Sequence, residues 1–250
     1  MNTTGNTILI TGGATGIGLA LAEAFLDAGN EVIICGRREN RLLEAKSQFP
    51  MLHTLNCDVV GAENRRNLME EVLSKFPKLN MLVNNAGIQR EIDFRKGAEA
   101  LEGENEIEVN LQAPVHLSAL FIPHLMQQRE AAILNVSSGL AFIPIAIMPL
   151  YCATKAALHS FSLALRRQLR NTSIKVFEII PPTVDTELDK GRRDARGQTD
   201  RGIDPREVAR ETMPALQADE YEIAIGQAQF IRKGSREDPE GTFQRMNSRW

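Results

Sequence analysis

The sequence predicts an α/β protein with a doubly wound parallel sheet of about seven strands and helices on both faces. Short apolar runs alternate with helical patterns over the first 180 residues, which is typical of successive β-α-β units. Most of the predicted strands are nearly continuous in apolar residues, as expected where helices cover both faces of a sheet. No Gly-, Ser- or Pro-rich linker divides the elements, so residues 1–250 are interpreted as one domain.

The elements follow one another in a regular order. The first strand is ILIT at residues 8–11, and the helix after it runs through Ala28 and is stopped by Gly29 and Asn30. Five more strands are predicted at residues 31–35, 52–59, 81–87, 131–138 and 174–180, with a seventh, YEIAIG, at residues 221–226. Helices are predicted at residues 67–76, around residues 110–116 and at residues 151–170.

Composition and charge exclude several classes of partner. The net charge is -3, so no overall positive field would recruit nucleic acid or anionic lipid. No apolar stretch approaches the length of a membrane span, and the N-terminus has no basic segment typical of a signal peptide. The three cysteines are scattered and form no metal-binding pattern, which favours reduced thiols. We expect a cytoplasmic protein with no metal, nucleic acid or membrane partner.

Two segments depart from the alternating pattern. Residues 185–204 are rich in both charges and punctuated by glycine, so they are either a solvated loop or a lid over a site. The C-terminal tail, residues 227–250, is basic but contains Phe243, Met246 and the only tryptophan, Trp250. Such a tail either packs on its own domain or reaches a neighbouring subunit.

A glycine-rich turn links the first strand to the first helix. TGGATGIG places Gly12, Gly16 and Gly18 in a GxxxGxG spacing, with Ala14, Thr15 and Ile17 between them. Glycines at such a turn allow close approach of a pyrophosphate and close packing of helix on strand. The helix N-terminus adds unpaired N–H donors. This context predicts dinucleotide binding.

The end of the second strand indicates which dinucleotide is bound. Enzymes that prefer NAD usually carry an acid there for the ribose 2′-hydroxyl, but IICGRREN has Gly36 followed by Arg37 and Arg38. Two guanidinium groups fit a 2′-phosphate because arginine binds phosphate oxygens with a planar fork. The sequence therefore predicts NADP(H).

A tyrosine and a lysine lie one helical turn apart in YCATK. Residues four apart share a helix face, so the Lys155 ammonium can lie beside the Tyr151 phenol and lower its pKa. Tyr151 then becomes a usable proton donor or acceptor near neutral pH. Ser138 ends the strand AAILNVSS, where an open α/β sheet presents ligand contacts, and its hydroxyl could hold a substrate carbonyl.

From about residue 7 to residue 225 the sequence resembles the short-chain dehydrogenase/reductase family. The shared motifs are TGGATGIG, NCDV, NNAG, the asparagine of EVNLQAP, SSG, YCATK and PPTVDT, and their order and spacing agree as well. The resemblance implies a Rossmann fold and nicotinamide-dependent interconversion of a carbonyl and an alcohol. By position it implies a catalytic tetrad of Asn110, Ser138, Tyr151 and Lys155, with Tyr151 as the acid/base. Lys155 would also bind the nicotinamide ribose, and Asn110 would hold a water of the proton relay.

The same resemblance implies further cofactor contacts. Asp58 and Val59 would lie by the adenine, and Asn85, Ala86 and Gly87 by the cofactor ribose. Pro181, Val184 and Thr186 would lie by the nicotinamide. More narrowly, the chain is similar to the DltE-type oxidoreductases, a branch whose name implies no substrate. The chain departs from the family where Pro182 replaces the usual glycine and where the tail lacks a VDGG-like ending, so either a homodimer or a homotetramer is expected.

These observations favour an NADP(H)-dependent oxidoreductase for a small carbonyl or alcohol substrate. One alternative is an acyl-carrier-protein β-ketoreductase, whose acidic carrier could meet Arg192, Arg193 and Arg196. Another is a non-catalytic NADP(H)-binding regulatory protein. The apolar run GLAFIPIAIMP, with Ile88, indicates a partly hydrophobic substrate pocket, although the same residues could be core or subunit contact.

Overall fold

A computed structural model describes residues 1–189, 197 and 199–248 of the chain. Within these residues seven parallel strands form one sheet in the order β3-β2-β1-β4-β5-β6-β7. The strands are β1 Thr7–Thr11, β2 Glu31–Gly36, β3 His53–Asn56, β4 Leu79–Asn84, β5 Ala131–Val136, β6 Ile174–Ile180 and β7 Glu222–Ala224. The predicted fold class is confirmed, and the seventh strand is shorter than predicted.

Helices cover both faces of this sheet. They are α1 Gly16–Asp27, α2 Glu39–Gln48, α3 Ala62–Lys75, α4 Ala113–Leu125, α5 Pro149–Leu169, α6 Pro205–Gln217, α7 Gln227–Glu237 and α8 Pro239–Met246. Short 3-10 turns lie at Phe94–Leu101, Gly139–Ala141 and Glu187–Asp189, and a π-helical turn at Glu108–Gln112 leads into α4. None of the helices in the described residues is long and apolar enough to cross a membrane.

The core has two halves because alternate strand residues face opposite sides of the sheet. Ile8, Ile10 and Val83 pack with α1, α2 and α6, whereas Leu9, Leu82 and Ile133 pack with α3, α4 and α5. The strand order reverses between β1 and β4, which both end at the same edge of the sheet. Ligands of doubly wound folds bind in the crevice at such a reversal.

The C-terminal tail packs on its own chain. Helix α7 contacts the Gly139–Ala141 turn and β7, and α8 packs on α7. Asn247 fastens the end of the tail, because its Oδ1 accepts a bond of 2.6 Å from the Ala146 N–H and its Nδ2 donates to the Pro144 carbonyl at 3.1 Å. The described part of the tail, residues 227–248, thus packs on its own chain, and Trp250 lies outside the described residues.

Candidate active site

The glycine turn is pressed against the end of β4. Gly12 has a φ of 63°, and a Cβ placed there would lie 2.9 Å from the Ala86 Cα. A Cβ on Gly18 would lie 2.4 Å from the Gly12 carbonyl oxygen. Neither position has room for a side chain, and the first also has a backbone conformation that favours glycine. The turn is therefore fixed at the strand-order reversal, where a pyrophosphate would approach.

Asn85 and Thr11 lock the turn in place. Asn85 Nδ2 donates to the carbonyls of Thr11 and Gly12, both at 3.0 Å. Thr11 Oγ1 accepts from the backbone N–H groups of Asn85 and Ala86, both at 3.1 Å. Asn85 is expected to lie by the cofactor; the structure places it beside the glycine turn, with its side-chain amide engaged in the turn itself.

The N-terminus of α1 opens toward the cleft. Its N-cap residue, Thr15, makes no side-chain cap bond, so no side chain of that residue satisfies the first-turn N–H groups. These donors and the helix dipole favour an anion. The tight glycine turn and the open helix end fit the pyrophosphate of a dinucleotide.

Three arginines follow β2 at the end of the cleft where the family resemblance would place the adenosine, here called the adenosine end, and each is paired with a carboxylate. Arg37 pairs with Glu104, Arg38 Nη1 lies 2.8 Å from Glu187 Oε2, and Arg41 also pairs with Glu187. Arg38 Nη2 donates to Thr15 Oγ1 at 3.3 Å, which joins this cluster to the glycine turn. All of these side chains are about one third to one half exposed.

Three predicted catalytic side chains come together at the opposite end. Tyr151 and Ser138 are 6% exposed and Lys155 is 4% exposed. Lys155 Nζ lies 5.6 Å from the centre of the Tyr151 ring and donates to the Val136 carbonyl at 2.8 Å. Burial lowers the pKa of Lys155 to about 8, and the charge of Glu178 acts in the opposite direction. Ser138 Oγ accepts from the Leu140 N–H at 3.1 Å, which fixes its hydroxyl at the cleft wall.

Asn110 lies behind this group and does not line the cleft. It is fully buried in the π-helical turn, and its amide exchanges two hydrogen bonds of 2.8 Å with the backbone of Ile88. Its Nδ2 also donates to Thr154 Oγ1 at 3.2 Å. A Cβ on Gly87 would lie 3.4 Å from Asn110 Oδ1 and 3.8 Å from Lys155 Nζ, so Asn110 is close to the lysine.

The two ends belong to one cleft of about 880 Å³. Every residue predicted to bind the cofactor lines it except Gly18, which lies under the turn. Part of the apolar run also lines it, namely Leu140, Ile145, Ile147 and Met148, with Ile88. Ile143 of the same run is buried elsewhere, so the run divides between cleft wall and core.

Sequence reasoning missed two sets of cleft residues. Glu104 and Glu187 lie at the adenosine end, and Gln227, Arg245, Met246, Asn247 and Ser248 reach the substrate side from the tail. The position of Glu187 next to Thr186 was a usable signal. No local pattern marks Glu104 or the tail residues. Arg192, Arg193, Arg196 and the middle of the expected lid lie outside the described residues.

Comparison with known proteins identifies the family. The protein-family model described as short chain dehydrogenase matches residues 6–197 of this chain. The chain belongs to the short-chain dehydrogenase/reductase family. Over 250 residues it is 56% identical to the uncharacterized oxidoreductase DltE of Bacillus subtilis (strain 168), with 99% of each chain covered. The chain is thus a short-chain dehydrogenase/reductase of the DltE type, an oxidoreductase that interconverts carbonyl and alcohol groups.

Solved structures of the family share the whole fold. A short chain dehydrogenase from Burkholderia cenocepacia J2315 in complex with NADP has a TM-score of 0.82 and 26% identity, with 98% of this chain and 99% of that chain covered. A family member from Burkholderia phymatum in complex with NAD has a TM-score of 0.86 and 22% identity, covering 99% and 97%. Both nicotinamide cofactors therefore occur on this fold.

The described residues show neither a reactive thiol nor an arrangement of metal ligands. The three cysteines, Cys35, Cys57 and Cys152, are free and buried. Burial raises the pKa of the Cys57 and Cys152 thiols to about 11, so neither is a reactive thiolate. No group of His, Cys, Asp or Glu side chains in these residues is arranged to hold a metal ion.

Proposed function

We propose that this protein is an NADP(H)-dependent oxidoreductase that interconverts a small carbonyl compound and a secondary alcohol, with Tyr151 as the acid/base. The observation that carries the proposal is the position of Lys155 Nζ, buried and 5.6 Å from the Tyr151 ring centre, in the cleft that also contains the glycine turn. A cation this close stabilises a phenolate, so the tyrosine can exchange a proton near neutral pH.

Each residue would have a separate task. Ser138 accepts a hydrogen bond from the Leu140 N–H, so its own hydroxyl hydrogen can be donated to a substrate oxygen. Tyr151 gives a proton to that oxygen during reduction and takes it back during oxidation. Lys155 donates to Val136 with one N–H, which leaves two donors for the ribose hydroxyls. Bound NADPH would supply the hydride.

Replacing Tyr151 with phenylalanine tests the acid/base role. Tyr151→Phe should lower kcat by about 10² to 10⁴-fold, since only the proton-transfer group is lost. Tyr221→Phe is a matched control, because Tyr221 is the only other tyrosine and stacks on Phe177 outside the cleft. NADP⁺- and NADPH-linked turnover would be followed at one wavelength across alcohol and carbonyl panels. Normal turnover by Tyr151→Phe would refute the role, and cofactor binding without turnover by the wild type would favour a regulatory protein.

The preference for NADP(H) rests on the arginines after β2. Arg37 and Arg38 line the adenosine end, and Gly36 supplies no carboxylate for a ribose 2′-hydroxyl. A side chain would fit at position 36, because a Cβ on Gly36 would meet nothing closer than Leu42 at 4.0 Å. Gly36→Asp should weaken NADPH binding and strengthen NADH binding, since the new carboxylate repels the phosphate. Gly36→Ala controls for the added side chain, and an unchanged ratio of the two Kd values would contradict the assignment.

We further propose that residues 1–250 act as one domain and that the protein is a cytoplasmic homodimer or homotetramer. The outer face of α5 supports assembly, because Leu163 is 40% exposed there and Ala156 and Ser160 are exposed beside it. An exposed face of small and apolar residues suits close helix packing. Light scattering would compare the molar mass of Leu163→Glu in solution with that of the wild type. An unchanged mass would contradict assembly through this face of α5.

A further inference from the structure

One buried acid has no part in the proposed reaction. Glu178 lies in β6 and is 0% exposed. It is the cross-strand partner of Asn135 on β5 and of Glu222 on β7. Its Oε2 lies 2.7 Å from His159 Nδ1, whereas its buried Oε1 has no hydrogen-bond partner among the described residues. Burying a carboxylate is costly, so its presence in an apolar strand requires a reason.

His159 connects this acid to the catalytic helix. It lies on α5 four residues after Lys155 and eight after Tyr151, so the three side chains share one helix face. The centre of the Phe142 ring lies 4.7 Å from the centre of the His159 ring, with the two rings tilted by 58°. The His159 side chain is 21% exposed. Through its contact with His159, Glu178 is therefore linked to the face of α5 that carries Tyr151 and Lys155.

Lys155 Nζ contacts a β5 carbonyl next to the cross-strand partner of Glu178. Its Nζ donates to Val136, and Val136 directly follows Asn135, the cross-strand partner of Glu178. The lysine is 4% exposed, and its burial without a nearby anion would favour the neutral amine. Glu178 raises the pKa of Lys155 against the effect of burial.

The neighbouring charged groups are committed to other partners. On β7, Glu222 pairs with Arg166 of α5 and with Arg232 of α7. Tyr151, Cys152 and His159 are the remaining titratable groups on the face of α5 that carries Lys155. Among these side chains, Glu178 is the anion that acts on the lysine.

We propose that Glu178, held by His159, is a positioning residue that keeps Lys155 as an ammonium ion beside Tyr151. The inference rests on the proposed function. The carboxylate contacts neither substrate nor cofactor; it acts through the charge of the lysine.

Turnover as a function of pH gives the first test. In Glu178→Gln the alkaline limb of the kcat profile for carbonyl reduction should move about one pH unit to lower pH, so that kcat at pH 8 falls about fivefold. The KM for the carbonyl should change little. His159→Gln should shift the limb in the same direction by less, and it serves if Glu178→Gln does not fold. Ser162→Ala is the control, because Ser162 is buried on α5 but bonds Asn135. Superimposable profiles for the wild type and a folded Glu178→Gln or His159→Gln would overturn the proposal.

A second measurement needs no turnover. Because the folded pKa of Lys155 lies below its unfolded value, its ionisation makes the free energy of unfolding rise with pH between about 8 and 10.5. The difference between each background and the same background carrying Lys155→Met isolates this rise from other groups. In Glu178→Gln the rise should begin about one pH unit lower. If the rise begins at lower pH in Glu178→Gln but the wild type shows no turnover, the effect of Glu178 on Lys155 is supported and the proposed function is refuted. If the wild type turns over but the rise does not move, the proposed function is supported and the role of Glu178 is refuted.

Discussion

The two ends of the cleft are built in different ways. At the end of the cleft with the predicted catalytic side chains, here called the nicotinamide end, Ser138, Tyr151 and Lys155 are each more than nine-tenths buried and held by α5 and by the end of β5. At the adenosine end, Arg37, Arg38 and Arg41 are partly exposed and held by ion pairs with Glu104 and Glu187. One end is fixed by packing, and the other by charges that water can reach.

This difference determines how each end responds to change. Between buried charges the local dielectric is low, so a single charge has a large effect on a neighbour. Exposed ion pairs contribute about 0–1 kcal/mol each and are screened by salt. We therefore expect substitutions at the nicotinamide end to change rate and stability strongly, and substitutions at the adenosine end to change affinity in a salt-dependent way.

The largest effect is expected for Lys155→Met. Loss of the ammonium should lower kcat by about 10² to 10⁴-fold. The same substitution should stabilise the fold at neutral pH, because the fall in the pKa of Lys155 to about 8 corresponds to about 3 kcal/mol of destabilisation while the lysine is charged. The lost bond to the Val136 carbonyl offsets about 1 kcal/mol of this.

Urea unfolding measures the stability effect. The gain should be present at pH 7 and should vanish as the pH rises above 8 toward 10.5, where the folded wild type has already lost the charge. Lys175→Met is the control, because Lys175 is partly exposed and paired with Asp219. It should give no gain. A Lys155→Met protein that is less stable than the wild type at pH 7 would contradict the argument from burial.

An intermediate effect is expected for Arg38→Gln. It should raise the Kd for NADPH about tenfold at low salt, through the loss of one charge-assisted contact to phosphate, and leave the Kd for NADH nearly unchanged. Because the site is exposed, the difference should shrink at high salt. Arg210→Gln is the control, since Arg210 is an exposed arginine of α6 that pairs with Glu207 and does not line the cleft. NADPH fluorescence titrations provide the measurement; equal losses for both cofactors would show that Arg38 does not recognise the phosphate.

The features predicted from sequence are those written in adjacent residues. The glycine turn, the strand ends and the Tyr151–Lys155 spacing depend on neighbours in the chain, and the fold class that they indicated is confirmed. The pairing of Arg37 with Glu104 joins residues 67 apart, and the bond between Asn247 and Ala146 joins residues 101 apart. The hydrophobic periodicity of the sequence does not predict such contacts, because they depend on where loops meet after folding.

Glu178 is an intermediate case. An acid within the apolar run IKVFEII was a visible anomaly, since charged residues are rarely buried without a partner. The sequence also placed His159 one turn after Lys155. What it could not supply was the distance of 2.7 Å between Glu178 and His159, because that depends on the packing of α5 against β6.

The smallest effect is expected for Glu187→Gln, and its sign is the informative part. Glu187 bonds both Arg38 and Arg41, so its carboxylate competes with a 2′-phosphate for the same donors. Its removal should tighten NADPH binding about threefold, in line with the small contribution of exposed ion pairs, and leave NADH binding unchanged. Glu44→Gln is the control, because among the described residues Glu44 forms an ion pair with Arg41 and none with Arg38. Weaker NADPH binding by Glu187→Gln would mean that the carboxylate holds the arginines in place for the phosphate, and the adenosine end would then be as preorganised as the nicotinamide end.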